Sequence, residues 1–483
     1  MRGHSRAEPP ETTGIAGSDR GPREAYTVRM KRSSRVRPAL LVVTSFAIMI
    51  LGGTILLDLQ SIGESDSTSH LVTSAFTSVS AVCVTGLTVV DISRDMDFGG
   101  QLTVLLLIQI GGLGVLTLSN WLLLTLRGRL GVFGSYVASD TLGKHPRVSP
   151  STMVRRIMLF TLVSESIGAL VLFFRFLADF RPQQAAWLAV FHSVSAFCNA
   201  GFSLFSNSLT TYREDYVVNL TVMVLIFLGG IGFVAAMDVV EYLTNTIRGI
   251  RRRMAVHTRL VLIASGLLIV CPAILFLAFE WNNTFVVEAP GGEVLQSLFL
   301  SVTARTAGFN TVEVGHLTNM TLVVVILLMV IGASPGSTGG GVKTTSLIVA
   351  LALVRSHLLN RPEVEVGDRR IPPKLAAKAL ALILLYGLAV IIGMIALQAT
   401  EFGELPHEQT RGFFLEHLFE VVSALSTVGL SMGLTPRLSN GGLGVLMGLM
   451  FIGRVGPLVI AASLIGERPT HGYRLPETDI MIG

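Results

Sequence analysis

Residues 78–91 read SVSAVCVTGLTVVD, a glycine-centred turn that follows an apolar stretch too short to cross a membrane. The same arrangement recurs as SAFCNAGFSL around Gly201, TARTAGFNTV around Gly308 and SALSTVGLSM around Gly429. Counted from Gly86, the four glycines are 115, 107 and 121 residues apart. The chain therefore contains a fourfold internal repeat.

The two residues before each glycine carry no recurring acid or base. They are Val84 and Thr85, Asn199 and Ala200, Thr306 and Ala307, and Thr427 and Val428. Four such segments meeting at one axis would present backbone carbonyls, because glycine permits the positive φ or close approach that turns consecutive carbonyls one way. Carbonyl rings replace the hydration shell in potassium filters, and residues 427–429 match the start of the TVGYG filter. One such segment alone would be an ordinary helix-ending glycine, but four in register predict a K⁺-binding filter at these positions with Gly86, Gly201, Gly308 and Gly429.

Composition places the chain among polytopic membrane proteins. Hydrophobic residues make up 51% and charged residues only 14%, with a mean hydropathy of +0.64, whereas soluble domains carry about a quarter charged residues. Three cysteines fit neither a disulfide framework nor a zinc pattern. The net charge of +5 lies in loops and tails, so it concerns membrane topology and not nucleic acid.

The order of apolar runs defines the repeating unit. A span at about 39–57 is long enough for a hydrocarbon core of roughly 30 Å, a helix-like run at 70–82 ends at the filter turn, and a second span follows at about 102–126. This predicts an all-α fold of eight full transmembrane helices plus four re-entrant helices around one pore. The predicted parts are a basic tail (1–37), the first unit (38–126), the second (127–242), the third (243–354), the fourth (355–466) and a C-terminal tail (467–483).

Lysine and arginine predict the orientation. They cluster in the loops between units, at 127–156, 248–259 and 355–374, whereas the loops 279–293 and 399–409 are acidic. Basic loops stay on the cytoplasmic side. We therefore expect a multi-pass protein of the cell membrane, in contact with lipid, with both termini cytoplasmic.

A second repeat lies inside the last span of each unit. It reads GGLG at 111–114, GGIG at 229–232, GASPG at 332–336 and GRVG at 453–456. Arg454 stands where the first two units have glycine. An arginine at membrane depth costs about 3 kcal/mol on insertion scales and normally faces water, so we predict that Arg454 faces the pore. The alternative is a structural arginine that binds carbonyls between helices.

The third unit contains an apolar stretch of roughly 36 residues, about 54 Å as a continuous helix and too long for one crossing. Its middle, GASPGSTGGGVKTT at 332–345, holds five glycines and a proline, which predicts a break at membrane depth. A mobile loop there would be a gate, and a static kink is the alternative. The predicted gate residues are Gly332, Gly336, Ser337, Thr338, Gly339, Gly340, Gly341 and Lys343, together with Arg454.

Two enzyme-like patterns overlap this loop. Residues 332–336 fit GxSxG but lack a preceding strand and a partnered histidine and acid. Val342 separates Gly341 from Lys343 and breaks the phosphate-loop pattern. No catalytic residue is predicted, and His192 and Glu165 are interpreted as satisfied packing partners and not as a proton relay.

The four filter turns, the GSTGGGVKTT loop and FIGRVGPL at 451–458 together resemble the superfamily of Trk, Ktr and HKT potassium transporters, over nearly all of residues 38–483. The resemblance to the Ktr branch implies a KtrB-type homodimer, each subunit with its own pore, on a cytoplasmic RCK ring such as KtrA. It implies K⁺ as the transported ion, sodium as a candidate activator, and a nucleotide bound by the partner and not by this chain. The long basic N-terminal tail exceeds that pattern.

The sequence thus favours potassium uptake down its electrochemical gradient through a channel-like pore. The alternative is a secondary transporter that couples potassium to sodium or protons by alternating access. Inverted repeats would favour that alternative, and the repeats here run in one orientation. A membrane-embedded hydrolase is disfavoured for lack of a partnered nucleophile.

Overall fold

Helices dominate this chain because a backbone in lipid must satisfy its own hydrogen bonds. The computed structural model describes residues 38–60, 67–125, 150–251, 253–285, 290–367, 369–403, 405–457 and 459–460. The predicted tails at 1–37 and 467–483, and the basic loop at 126–149, lie outside the described residues.

Each unit begins with a long helix and continues with a shorter helix that ends at a glycine turn. The first unit contains α1 (Pro38–Asp58), α2 (Ser67–Cys83), the one-turn α3 (Ile92–Asp95) and α4 (Phe98–Thr125). The second contains α5 (Pro150–Phe176), α6 (Pro182–Phe197), α7 (Tyr216–Gly230) and α8 (Phe233–Ile247). The third contains α9 (Val256–Glu280), α10 (Gly292–Thr303), α11 (Asn319–Val330) and α12 (Thr344–Leu358). The fourth contains α13 (Pro373–Glu401), α14 (Phe413–Ser426) and α15 (Asn440–Val455).

Between the last two units, β1 (Glu365–Val366) pairs antiparallel with β2 (Arg369–Arg370).

The first short helix is longer than the run of about a dozen residues predicted at 70–82, since α2 has 17 residues. It packs against α1, α4 and α15. The shorter helices therefore occupy the interior.

The outer helices carry their apolar side chains towards the surroundings. Ile48 and Leu51 of α1 and Ile391 and Ile395 of α13 are more than half exposed. Such side chains in large numbers mark a surface that contacts something apolar. Lipid is that contact for a membrane protein.

In the part of the chain that the structure describes, the predicted spans are not all continuous helices. Within the described residues, three helices are long and apolar enough to cross a membrane: Val154–Phe176, Val256–Glu280 and Pro373–Glu401. The pair α7 and α8 adds a fourth if it is counted as one span, but it bends by 107°. The last spans of the second and third units are therefore broken; the break in the third unit was predicted, whereas a full helix was expected in the second.

The two breaks complete each other's hydrogen bonds. The backbone amide of Ser334 donates to Gly230 O at 3.0 Å, and that of Phe233 donates to Gly336 O at 2.9 Å. Gly232 has φ +86°, and a Cβ there would lie 2.3 Å from Pro335 O. Irregular backbone at membrane depth persists only where protein or water satisfies it. The break predicted in the third unit is present, and its partner in the second unit was missed.

Candidate functional site

The four glycine turns share one backbone conformation. The residue two positions before each glycine is left-handed, although it is not glycine, and the glycine itself has positive φ. The values are Val84 57° and Gly86 92°, Asn199 58° and Gly201 70°, Thr306 74° and Gly308 83°, and Thr427 51° and Gly429 92°. A left-handed non-glycine residue costs about 1–2 kcal/mol. Four at matching positions indicate a conformation enforced by the surrounding structure.

The four glycines close a ring. A Cβ on Gly86 would lie 2.3 Å from Ala200 O, and one on Gly201 would lie 2.8 Å from Ala307 O. A Cβ on Gly308 would lie 2.4 Å from Val428 O, and one on Gly429 would lie 2.0 Å from Thr85 O. Each segment thus abuts the next, and the last abuts the first. We call Gly86, Gly201, Gly308 and Gly429 the glycine ring; all predicted filter residues lie in it or directly before it.

Hydroxyl groups at the ends of the short helices hold these turns. Ser80 Oγ accepts from the Gly86 amide and Ser423 Oγ accepts from the Gly429 amide, both at 3.1 Å. Ser195 Oγ donates to Phe202 O at 2.7 Å, and Thr303 Oγ1 donates to Phe309 O at 2.6 Å. These four residues were not predicted. A serine six positions before three of the four glycines is the signal that could have found them.

One face of the ring opens into a cavity of about 610 Å³ lined by all four glycines. Asp91, Glu313, His316 and Arg437 also line it. Burial alone would raise the pKa of Asp91, but hydrogen bonds from Ser206 and Ser93 hold it below its usual range. Asp91 is therefore an anion at neutral pH beside an entrance of mixed charge.

The loop 331–343, which joins α11 to α12, packs against the other face. A Cβ on Gly339 would lie 2.2 Å from Thr306 Oγ1, and one on Gly340 would lie 2.3 Å from Thr427 Oγ1. Neither threonine hydroxyl has a hydrogen-bond partner among the described residues. Two glycines of the loop thus touch residues directly before the ring, and no larger residue fits there.

Inside the loop, Gly332 meets the other end of the segment. Its amide donates to Val342 O at 3.0 Å, and a Cβ on it would lie 2.0 Å from Gly340 O. Gly341 has φ +71°. Ser337 Oγ donates to Ser334 O at 2.6 Å, beside the contact of Gly336 with the α7–α8 break. The predicted gate residues are therefore distributed between the ring and that break.

Two basic side chains hold the loop. Lys343 Nζ donates to Gly339 O at 2.6 Å. Arg454, only 7% exposed, donates from Nη1 to Thr338 O and from Nη2 to Gly111 O at 2.6 Å. Its position on carbonyls of two other units is the arrangement that the structural alternative describes. That Arg454 also faces a pore stays a prediction.

The polar residues His192 and Glu165 are satisfied, as predicted. Gln109 Nε2 donates to Glu165 Oε2 at 3.3 Å. His192 bonds Leu188 O at 2.7 Å through Nδ1 and Ser203 Oγ at 2.9 Å through Nε2. His192 is thus bonded within the second unit, whereas Glu165 contacts the first.

Comparison with known proteins defines the class: the family model described as a cation transport protein, TrkH, matches residues 26–470. The chain belongs to this TrkH family of cation transport proteins. It is 35% identical to the Ktr system potassium uptake protein B of Vibrio alginolyticus, over 92% of this chain and 94% of that one. It is 33% identical to the potassium/sodium uptake protein NtpJ of Enterococcus hirae, over 95% and 100%.

A solved structure, the potassium transporter TrkH from Vibrio parahaemolyticus, has a similar fold with a TM-score of 0.69 at 20% identity. The match covers 90% of this chain and 86% of that chain. The resemblance to the Trk, Ktr and HKT superfamily is confirmed. Because the family is one of membrane cation transport, the prediction that the chain is not an enzyme is confirmed as well.

Proposed function

We propose that this chain takes up potassium across the cell membrane through a channel-like pore formed by its four units. The glycine ring is the observation that carries the proposal. Carbonyls of Val84, Thr85, Asn199, Ala200, Thr306, Ala307, Thr427 and Val428 would replace the hydration shell of K⁺, and the four glycines permit the close approach. Similarity to potassium uptake proteins supports the choice of ion.

The loop 331–343 is proposed as the gate. It packs against Thr306 and Thr427, so an ion that leaves the ring on this side meets the loop. Loop carbonyls accept hydrogen bonds from Arg454 and, within the loop, from Lys343, and these bonds can break without unfolding a helix. A displaced loop would open the path while the ring stays intact.

The assembly is proposed from the relatives. As the resemblance to the Ktr branch implies, the proposed assembly is a homodimer with one pore in each subunit, regulated by a cytoplasmic RCK ring that binds the nucleotide. Sodium is proposed as an activator, and the described basic loop residues support cytoplasmic termini. The four-unit arrangement of span, re-entrant helix, filter and span is part of the same proposal.

Flux measurements in proteoliposomes test the function. With purified protein, K⁺ uptake should stop when the membrane potential equals the potassium equilibrium potential, whatever sodium or proton gradient is imposed. Uphill K⁺ accumulation driven by a sodium or proton gradient would show the coupled symporter instead. Uptake of Na⁺ as fast as K⁺ would contradict the filter.

Removing loop residues tests the gate. Deletion of several residues between Gly336 and Gly341 should raise K⁺ flux per inserted protein and weaken control by the regulatory ring. A static kink would leave flux unchanged at normal membrane abundance, and that result would contradict the gate.

A further inference from the structure

Two buried polar residues occupy matching positions behind the face of the glycine ring that opens into the cavity. We call this face the outer mouth. His192 lies nine residues before Gly201, and Glu420 lies nine residues before Gly429. Both side chains are 0% exposed. A buried polar group without a hydrogen bond destabilises the fold, so the partners of these two residues matter.

Each of these residues binds a serine two positions after the glycine of its own unit. His192 Nε2 lies 2.9 Å from Ser203 Oγ. Glu420 accepts a hydrogen bond from Ser431 Oγ. The serine oxygens then accept the backbone amide two residues further on, Phe205 at 3.0 Å and Gly433 at 2.9 Å. The same four-part connection thus exists in both units.

Each buried acceptor has a second donor. Leu204 N donates to His192 Nε2 at 3.4 Å, and Thr435 Oγ1 donates to Glu420 Oε2 at 3.0 Å. His192 Nδ1 lies 2.7 Å from Leu188 O, which can only accept. Nδ1 therefore carries the proton and leaves Nε2 as an acceptor, the role that the carboxylate plays in the fourth unit.

The other two units lack this connection. The position nine residues before the glycine is Thr77 in the first unit and Phe299 in the third. Thr77 Oγ1 has no hydrogen-bond partner among the described residues. Phe299 shows that an apolar side chain fills this position in the fold. The polar residues in the second and fourth units are therefore not required for packing alone.

The first and third units, which lack this connection, form hydrogen bonds with the second unit. Ser93 Oγ of the first unit lies 3.3 Å from Ser206 Oγ. In the third unit the Asn310 amide donates to Ser208 Oγ at 3.2 Å, and Asn310 O accepts from the Leu209 amide at 3.0 Å. The segment that follows Gly201 thus supports both of its neighbours.

We propose that His192–Ser203 and Glu420–Ser431 are paired positioning contacts, called braces here, that fix the outer mouth at two opposed sides of the ring and sharpen K⁺ over Na⁺ selection. The inference rests on the proposed filter and adds residues outside it. A carbonyl ring discriminates only while its segments hold their spacing, and the braces tie the chain just after two of its four glycines to the interior of a helix.

Alanine at the two serines tests the braces without touching the buried groups. Ser203→Ala and Ser431→Ala should each lower the K⁺/Na⁺ flux ratio in proteoliposomes at least threefold, and the double variant should lower it further. Thr77→Val is the control: it removes an unbonded hydroxyl at the first-unit position that matches His192 and Glu420, and it should keep the wild-type ratio. The flux ratio does not depend on the amount of inserted protein, so lower abundance alone cannot imitate the effect.

Conservative and paired variants separate positioning from general stability. Glu420→Gln keeps an acceptor and should restore most of the selectivity that Glu420→Leu loses. His192→Phe and Ser203→Ala should not add, because they remove the same contact. Wild-type selectivity in both serine variants, or an equal loss in Thr77→Val, would overturn the braces while leaving the filter in place. A wild-type protein that fails to distinguish the two ions would instead overturn the proposed filter and the braces with it.

Discussion

The two faces of the glycine ring are held in different ways, one by backbone conformation and the other by side-chain hydrogen bonds. The face that opens into the cavity is formed by the four glycine turns. Their backbone has positive φ at each glycine, a conformation that favours glycine. The face under loop 331–343 is held by side chains, since Arg454 and Lys343 donate to the carbonyls of Thr338 and Gly339. Backbone geometry is hard to change by small steps, whereas a side-chain contact can break and reform. We therefore expect selection and gating to be separable by mutation.

The ring itself should give the largest effect. In Gly86→Ser the new Cβ would lie 2.3 Å from Ala200 O at a φ of +92°. Strain of about 1–3 kcal/mol at such a position, where each 1.4 kcal/mol is about tenfold, should lower K⁺ over Na⁺ selection about tenfold or more. Uptake competition between the two ions measures it.

Gly448→Ala is the control for that variant, because a Cβ on Gly448 meets nothing within 4 Å. It should behave as wild type. If Gly86→Ser also keeps wild-type selectivity, the first segment does not belong to the filter. The assignment of ion selection to the cavity face of the ring would then be wrong.

Arg454→Gln should give the next effect, on flux and not on selection. A unit charge about 8 Å from an ion costs roughly 2 kcal/mol at an effective dielectric of about 20, so its removal should raise maximal K⁺ flux up to about thirtyfold. The loss of the bond to Thr338 O acts in the same direction. K⁺ flux per inserted protein molecule is the measurement.

Arg454→Lys separates charge from hydrogen bonding, because lysine keeps the charge without the planar fork. Low flux in Arg454→Lys assigns the barrier to charge, and raised flux assigns it to the loop contact. Unchanged or lower flux per inserted protein molecule in Arg454→Gln would mean that Arg454 only stabilises the fold.

Gly340→Ala should act more weakly on the same face. A Cβ there would lie 2.3 Å from Thr427 Oγ1 and 2.6 Å from Ser426 O, so the loop must move away from the ring. We expect flux to rise about threefold, equivalent to about 0.7 kcal/mol of lost packing, with selection preserved. Gly266→Ala, where a Cβ meets nothing within 4 Å, is the control. A fall in selectivity without a rise in flux would show that the two faces are not separable.

Asp91→Asn should give the smallest effect, at the entrance of the cavity. The side chain caps α3 by accepting from the Ser93 amide, and asparagine also caps well. Loss of one charge roughly 8 Å away in water costs about 0.5 kcal/mol, so apparent K⁺ affinity should fall about twofold at low salt and recover at high salt. Asp97→Asn, outside the cavity lining, is the control.

The pH dependence of this effect has a definite sign. Because the folded-state pKa of Asp91 is held below the usual carboxyl range, its charge persists at neutral and mildly acid pH. The attraction, and the stability that its hydrogen bonds contribute, should disappear only as pH falls through that lowered pKa. Loss of attraction at near-neutral pH would contradict the assignment to Asp91.

Local pattern determined much of this protein. Composition indicated a membrane protein, and the four glycine turns located every segment of the ring. They could be found because each turn is specified by about ten consecutive residues. Five glycines and a proline within 332–345 likewise predicted a break in the helix of the third unit. Such features depend on residues close in sequence, where glycine and proline act directly on the backbone.

Tertiary structure alone decided which distant groups meet. Arg454 bonds Thr338, 116 residues away, and Gly111, 343 residues away, and no local pattern specifies such partners. The same holds for the break between α7 and α8, since GGIG at 229–232 bends by 107° where the nearly identical GGLG at 111–114 continues as helix. The bend is stable because the loop of the third unit supplies the hydrogen bonds that the helix gives up.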